Sequence, residues 1–526
     1  MSNSVEREGR TMKLDYKRTI FVGFAFFLIC AFWQAYDNTI PLILTNKFGM
    51  PQTASGVVMA LDNVLALFML PLFGAISDRC RHRLGRRTPF ILFGTIIAAV
   101  VLVGLSFVDN AQLKQLSRFS AIDDPAALTE IYTEQKDATL QCPDGEKFVL
   151  GEKFSLESFT AIRSQIEKDG KTVTNPNYTN YVVPARQACA HQITKSNPTY
   201  LIVFIVLLLI ILVAMSTFRS PAVALMPDVT IKPLRSKANA VINLMGSAGG
   251  ILILGLGMVF ATSSIRHSLM SYTGYFAVIA GIMLLALAIF RWKVKEPQSV
   301  SEMHETSRKF GIEEADEEQT GGRKLTKPER TSLIFLLASI VLWFMGYNAV
   351  TSKYSVYASN ILHKDYNLTL IIAQAAAIIA YLPVGMVASR LGRKKTILAG
   401  IVMLTAAFGA ACFLDESSPT ILMNAMFALA GIGWATINVN SFPMVVELCR
   451  GGDVGKYTGF YYTASMAAQT VTPMISGHFM DTRGMTTLFP YATIFVALAF
   501  VTMIFVRHGD NKPTAKKGLK ALDVED

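Results

Sequence analysis

The chain is short of charge. Only 17% of its 526 residues are Asp, Glu, Lys or Arg, whereas 52% are hydrophobic. Histidine and cysteine are scarce too, at seven and six residues. No His-Glu-x-x-His and no paired Cys-x-x-Cys sequence occurs, which excludes the common zinc-hydrolase and zinc-module chemistries. A nucleotide-binding loop is missing as well: the glycine run GSAGGILILGLG, 246–257, contains no Lys and follows no strand pattern. Its small residues suit close helix packing instead. Catalysis, ATP-driven transport, a resident metal and an organic cofactor are therefore not expected.

Apolar sequence is abundant. With 33 Phe, 23 Met and charge confined to short patches, the chain has the composition of a protein dissolved in lipid. The net charge of +11 would suggest nucleic acid in a soluble protein, but the basic residues sit between apolar runs, where they set orientation. The bilayer, and no nucleic acid, is the expected partner. A spanning helix needs about 20 apolar residues, and such stretches lie near 18–43, 54–77, 89–108, 199–226, 239–263 and 270–292, then 331–354, 367–389, 396–415, 420–446, 455–480 and 487–507. The first of these is long enough to span and has no small-residue cleavage site after it, so it reads as a span and not as a removed leader.

Alternating sides along these spans collects Lys17, Arg18, the five arginines between Arg79 and Arg87, Arg235, Arg390 and Arg393–Lys395 on one face. The positive-inside rule makes that face cytoplasmic and places both termini there, in a cell (plasma or inner) membrane. The segments are then a tail (1–17), a six-helix half (18–292), a cytoplasmic linker (293–330), a second six-helix half (331–507) and a tail (508–526). The expected fold class is an all-α membrane protein of twelve helices in two pseudo-symmetric halves.

The halves share a pattern. PLFGAISDRCRHRLGRRT, Pro71 to Thr88, and PVGMVASRLGRKKT, Pro383 to Thr396, both close a second span with a basic turn. At one common offset Asp37, Asn63 and Asp78 correspond to Asn348, Gln374 and Ser389. Duplication of a six-helix unit is the arrangement of secondary transporters, whose substrate sits between the halves near the bilayer midplane.

Two insertions interrupt the bundle. The linker contains EEADEEQTGGRKLTKPER and has no apolar period, as expected of a solvated connection. The other, 109–198, lies on the outer side with scattered aromatics, and it holds Cys142 and Cys189, the only cysteines there. It reads as a small ordered cap closed by a Cys142–Cys189 disulfide, or else as a mobile loop with two free thiols. Asn177-Tyr178-Thr179 within it is a glycosylation sequon.

Polar groups deep in a span mark function. WQAYDN places Trp33, Gln34, Tyr36, Asp37 and Asn38 in the first span. Rings stack on the C–H faces of sugars, while amides and carboxylates take hydroxyl hydrogens. Trp343, Tyr347 and Asn348 repeat the pattern in the seventh span, and Asn63, Gln374, Asn438 and Arg219 join the candidate substrate set. Lys353, Tyr381, Trp434, Asn440 and Gln469 are further cavity candidates of the second half. A carboxyl in a low-dielectric site can carry a proton at physiological pH, which makes Asp37 and Asp62 the coupling candidates. The competing roles are interfacial aromatics and helix-joining amides.

The spacing G-x-x-x-D-R-x(4)-L-G-R-R, Gly74 to Arg87, resembles the signature loop of the major facilitator superfamily, with its degenerate copy at Gly385 to Lys395. SDRCRHRLGRRTPFI and FRSPAVALMPD, Phe218 to Asp228, resemble the plant sucrose transporters and their animal relatives in the glycoside–pentoside–hexuronide:cation symporter group. This resemblance implies a cytoplasmic gate in which Asp78 faces the eleventh helix near Gly452–Gly455. Arg86 or Arg87 would pair with Asp228, and Arg393 with Glu447. It also implies that Arg219 contacts substrate, although FRSP does not reproduce the sucrose carriers' Pro-x-Arg pattern. The melibiose-permease branch has a sodium signature in its second span, where this chain has Ala66, Leu70 and Pro71, so the coupling ion is expected to be a proton.

The expected function is import of a small glycoside, a disaccharide such as sucrose or maltose, in symport with a proton by a monomer. The alternatives are an exporter or antiporter of amphipathic compounds and a receptor that binds ligand through its cap without flux.

Overall fold

A computed structural model of the chain describes residues 14–168, 170–231, 234–309, 325–448 and 454–509. Twelve long helices organise it. The first six are α1 (Tyr16–Asn46), α2 (Gln52–Arg79), α3 (Thr88–Gln115), α4 (Thr199–Asp228), α5 (Arg235–Val259) and α6 (Thr273–Lys293). The second six are α7 (Lys327–Tyr357), α8 (Tyr366–Leu391), α9 (Arg393–Ala411), α10 (Thr420–Val446), α11 (Val454–Arg483) and α12 (Leu488–Ile504). Among the described residues, ten of these helices, all but α8 and α11, are long and apolar enough by composition to cross a membrane. The chain is a multi-pass membrane protein.

Packing repeats between the halves. In the first, α1 lies against α5 and α6, α3 against α4 and α6, and α2 against α4; in the second, α7 lies against α11 and α12, α9 against α10 and α12, and α8 against α10. Each pair maps onto its counterpart by a shift of six helices. Each half has its own apolar core, around Phe32, Leu105, Phe218 and Phe276 in the first and around Ile340, Trp343, Ile401 and Phe489 in the second. The interface consists of α2 against α11, α5 against α8, and α1 beside α7.

Between α3 and α4 the chain forms a cap. It contains helices Pro125–Gln135 and Val183–Ser196 and two antiparallel hairpins, β1 (Thr139–Gln141) with β2 (Lys147–Val149) and β3 (Gln165–Lys168) with β4 (Lys171–Thr174). Asp124 caps the first of these helices through Ala126 N–H, and Pro125 starts it with a fixed φ, which together explain why the helix begins there. The cap has a separate core that includes Phe119, Ile131, Leu150, Phe159 and Tyr178. Cys142 and Cys189 both lie in that core as free thiols, so the disulfide is not formed. Apolar packing, and not a covalent bridge, orders the cap. Asn177 of the sequon is exposed.

The linker also departs from expectation. Glu296–Lys309 is a helix, not a solvated coil, and it docks on the first half through Arg18, whose guanidinium meets Glu302 at 2.7 Å. Residues 310–324 of the charged linker, 1–13 and 510–526 of the terminal tails, and Gly452 lie outside the described residues.

Candidate functional site

A cavity of about 170 Å³ lies between the halves. From α1 it takes Trp33 and Asp37, one helical turn apart on the same face. Met59, Asp62 and Asn63 come from α2 and Arg219 from α4, while Asn348, Thr351 and Ser352 of α7 and Gln469 and Pro473 of α11 close the other wall. Asn63 Nδ2 donates to Asp62 Oδ1 at 2.7 Å, and the Arg219 guanidinium lies 5.5 Å from the centre of the Trp33 ring. Two carboxylates, one guanidinium and an indole thus converge deep in the bundle, where unpaired charge is costly. Such a set can bind hydroxyls, present a flat apolar ring and hold a proton.

The other sequence candidates divide. Gln374 Nε2 donates to Gln34 Oε1 at 2.5 Å, so these two tie the halves together beside the cavity. Asn438 is exposed and hydrogen-bonds Tyr381, and Tyr347 stacks on Trp434 at 3.6 Å with 4° between the planes. Tyr36 and Asn38 are buried in the first half, the latter donating to Gln34 O at 2.8 Å, and neither lines the cavity. Trp343 is fully buried in the core of the second half. These three lie outside the cavity because their positions on α1 and α7 turn them inward to their own half.

The two ends of the cavity differ. Toward the cap, Asp481 of α11 accepts from the backbone N–H groups of Gln52 and Thr53, at 2.7 and 2.6 Å, and from the Thr53 hydroxyl at 2.5 Å. A carboxylate is thereby set on the N-terminus of α2, where the helix dipole favours an anion. Lys353, which the sequence suggested as a cavity residue, is fully buried and donates to Gln52 O at 2.7 Å. Gly56 and Gly477 permit this approach, since a Cβ on Gly56 would lie 2.1 Å from Pro473 O and one on Gly477 2.4 Å from Gln52 O. On the interface between α5 and α8, the Thr262 and Tyr366 hydroxyls lie 2.7 Å apart.

Toward the arginine turn, the arginines pair with acids of their own half. Arg86 and Arg87 both reach Asp228, at 2.5 and 2.9 Å, and Arg87 also meets Asp78 at 2.5 Å. Arg393 pairs with Glu447 in the second half. Glu296 of the linker helix was not singled out in the sequence, yet it is the centre of the first network. Its buried carboxylate accepts from the backbone N–H groups of Arg86, Arg87 and Thr88 and from the Thr88 hydroxyl, at 2.7–3.1 Å. The first network ties α2, α3, α4 and the linker helix to one another within the first half. Beyond Ala66 most residues of α2 are exposed, whereas at the cap end the two halves are tied through Gln52, Asp481 and Lys353.

Comparison with known families agrees with this architecture. The model of the Major Facilitator Superfamily matches residues 188–376 and 357–523. The chain belongs to this superfamily. A second model, described as MFS/sugar transport protein, matches residues 21–114, the part of this superfamily member that carries Asp37, Asp62 and the arginine turn. Proton-associated sugar transporter A of Homo sapiens is 33% identical over 98 residues, 19% of this chain and 13% of that protein. Sucrose transport protein SUT3 of Oryza sativa subsp. indica is 34% identical over 62 residues, 12% of each chain. The matched stretches thus span about an eighth of these relatives. Among solved structures, a D-xylose-proton symporter superposes with a TM-score of 0.54 at 15% identity, covering 94% of this chain and 99% of that one. The nucleoside transporter NupG superposes at 0.52 and 13% identity, covering 93% and 100%. Likeness at this identity establishes the major facilitator fold, which serves transporters and not enzymes.

Met59, Thr351, Ser352 and Pro473 complete the cavity wall and were missed in the sequence. Thr351 and Ser352 were findable, since they follow Asn348 by about one turn and so share its face; the Ser352 hydroxyl donates to Asn348 O at 2.7 Å.

Proposed function

We propose that the protein imports a small neutral glycoside, a disaccharide such as sucrose or maltose, together with a proton. The observation that carries this reading is the cavity itself, in which Asp37, Asp62, Asn63 and Arg219 surround Trp33 at the contact of the two halves. Hydroxyl groups of a sugar would donate to the carboxylates and accept from Arg219, with a C–H face against the indole. Asp37 or Asp62 would take the coupling proton, leaving the other carboxylate to balance Arg219. The polar lining favours sugar over the amphipathic cargo of an exporter. The sugar-transport family model over residues 21–114 and the similarity to sugar-transporter relatives support the same substrate class.

In this reading the basic face is cytoplasmic, both termini lie on that side of a cell membrane, and the monomer is the working unit. The present conformation is then inward-facing. Alternating access would open the contact of α2 with α11 and that of α5 with α8 while closing the halves below the cavity. The test is uptake of labelled sucrose and maltose into proteoliposomes under an inward proton gradient, with a protonophore control. Accumulation that the protonophore abolishes, and that Asp37→Asn or Asp62→Asn removes, is expected. Correctly inserted protein that takes up neither sugar under any gradient would overturn the assignment.

A further inference from the structure

A second, larger cavity lies on the cap side of the closed gate, with a volume of about 500 Å³. This falls within the roughly 300–1,000 Å³ of small-molecule pockets. Three parts of the chain enclose it. The cap contributes β1 with the turn after it and the helix Val183–Ser196; Gln52 comes from α2, and Asn360, Met480, Asp481 and Met485 come from the second half. The cap reaches that half directly, for Met485 N–H donates to Pro143 O at 2.6 Å. Gly145 and Gly484, both at positive φ, meet so closely there that a Cβ on Gly484 would lie 2.3 Å from the Asp144 carbonyl.

The lining has a distinct chemistry. Gln52, Gln135, Gln141, Gln187, Gln192 and Asn360 supply six amides, while no Lys or Arg lines the cavity. Its one carboxylate, Asp481, is already engaged by the N-terminus of α2. Some amides are partly used: Gln135 Nε2 donates to Gln192 Oε1 at 2.9 Å and Gln187 Nε2 to Asn46 Oδ1 at 2.9 Å. Gln141 has no side-chain partner among the described residues. An amide both donates and accepts, so a wall dominated by amides, with Asp481 already engaged and His191 Nδ1 3.2 Å from Gly49 O, suits hydroxyl groups. Pro143, Pro184 and Met480 add apolar surface for the C–H faces of the same ligand.

We infer that this vestibule is a second carbohydrate site, separate from the central cavity, in which external sugar binds against the closed gate. The inference rests on the sugar-transport reading for its ligand class. An occupant would touch the cap, α2 and the second half together, an arrangement that exists only while the halves are closed on this side. External sugar at high concentration would therefore hold the inward-facing state and slow its own uptake.

The experiment is hydrogen–deuterium exchange of the full-length protein in nanodiscs with sucrose and maltose as probes, alongside uptake measured over a range of external sugar. Sugar is expected to protect segments 139–143 and 183–192. That protection should be lost in Ala188→Trp, which fills the cavity, weakened in Gln141→Leu, and retained in Arg219→Ala, which cripples the central site. Uptake by the Ala188→Trp protein should persist at low sugar and lose the fall at high sugar. Protection that survives Ala188→Trp and Gln141→Leu, or that disappears in Arg219→Ala, would overturn the vestibule, as would unprotected cap segments in a protein that takes up sugar. Absence of both uptake and protection would overturn the central reading as well.

Discussion

The two ends of the bundle are fastened by opposite strategies. At the cap end a carboxylate, an ammonium group and two glycines hold one half against the other. At the basic end the arginines are richer in partners, yet Arg86 and Arg87 spend theirs on Asp78 and Asp228 of their own half. Charge density alone is thus a poor guide to where the halves meet. The arginine turn braces the join of α2, α3 and α4 within the first half, whereas a modest helix N-terminus at Gln52 carries the contact across.

Three changes would test this contrast. The largest effect is expected from Glu296→Ala, which strands three backbone donors and the Thr88 hydroxyl; a loss of about 2–3 kcal/mol follows from the cost of unsatisfied buried donors. Thermal unfolding in detergent should register it, and an unchanged melting temperature would show that the linker helix is not a brace. Asp481→Ala removes a cap that spans the halves and should cost about 1–2 kcal/mol. Because that cost falls only on the closed gate, the population should shift by roughly tenfold toward the state open on the cap side. Labelling of a cysteine introduced at Thr53 would rise; labelling equal to that of the parent would return Asp481 to an ordinary helix-end role. The smallest effect concerns the cap thiols. Burial pushes Cys142 up to about 12 and Cys189 up to about 11, so both remain protonated at neutral pH and should resist alkylation until the cap unfolds. Mass spectrometry after brief iodoacetamide treatment would detect the contrary.

Much of this was legible in the sequence. Apolar run lengths reveal the twelve helices, and the shared offset of Asp37 with Asn348 reveals the duplication, because both depend on local pattern. Trp33, Asp37, Asn63, Arg219 and Asn348 were found as cavity residues since polar groups are conspicuous in lipid. Helical facing was not legible. Trp343 and Trp33 occupy similar sequence contexts, but a span that is apolar around its whole circumference does not reveal which face meets the other half. Glu296 was hidden because one buried carboxylate in a charged linker looks like its solvated neighbours. Asp481 was hidden for a related reason, as a helix-end acid whose partner lies more than 400 residues away. The cap's hairpins and core depended on tertiary packing that no period announced.

The place where the cap is inserted has a consequence of its own. α3 and α4 pack along each other, so the chain leaves the membrane and returns to it at neighbouring points. Closing a loop there costs little more for a long segment than for a short one. The junction is therefore a socket: the extramembrane module can be lengthened, trimmed or exchanged over evolutionary time without disturbing the order of the spans. A protein built in this way can vary its extramembrane module while keeping its spanning helices unchanged.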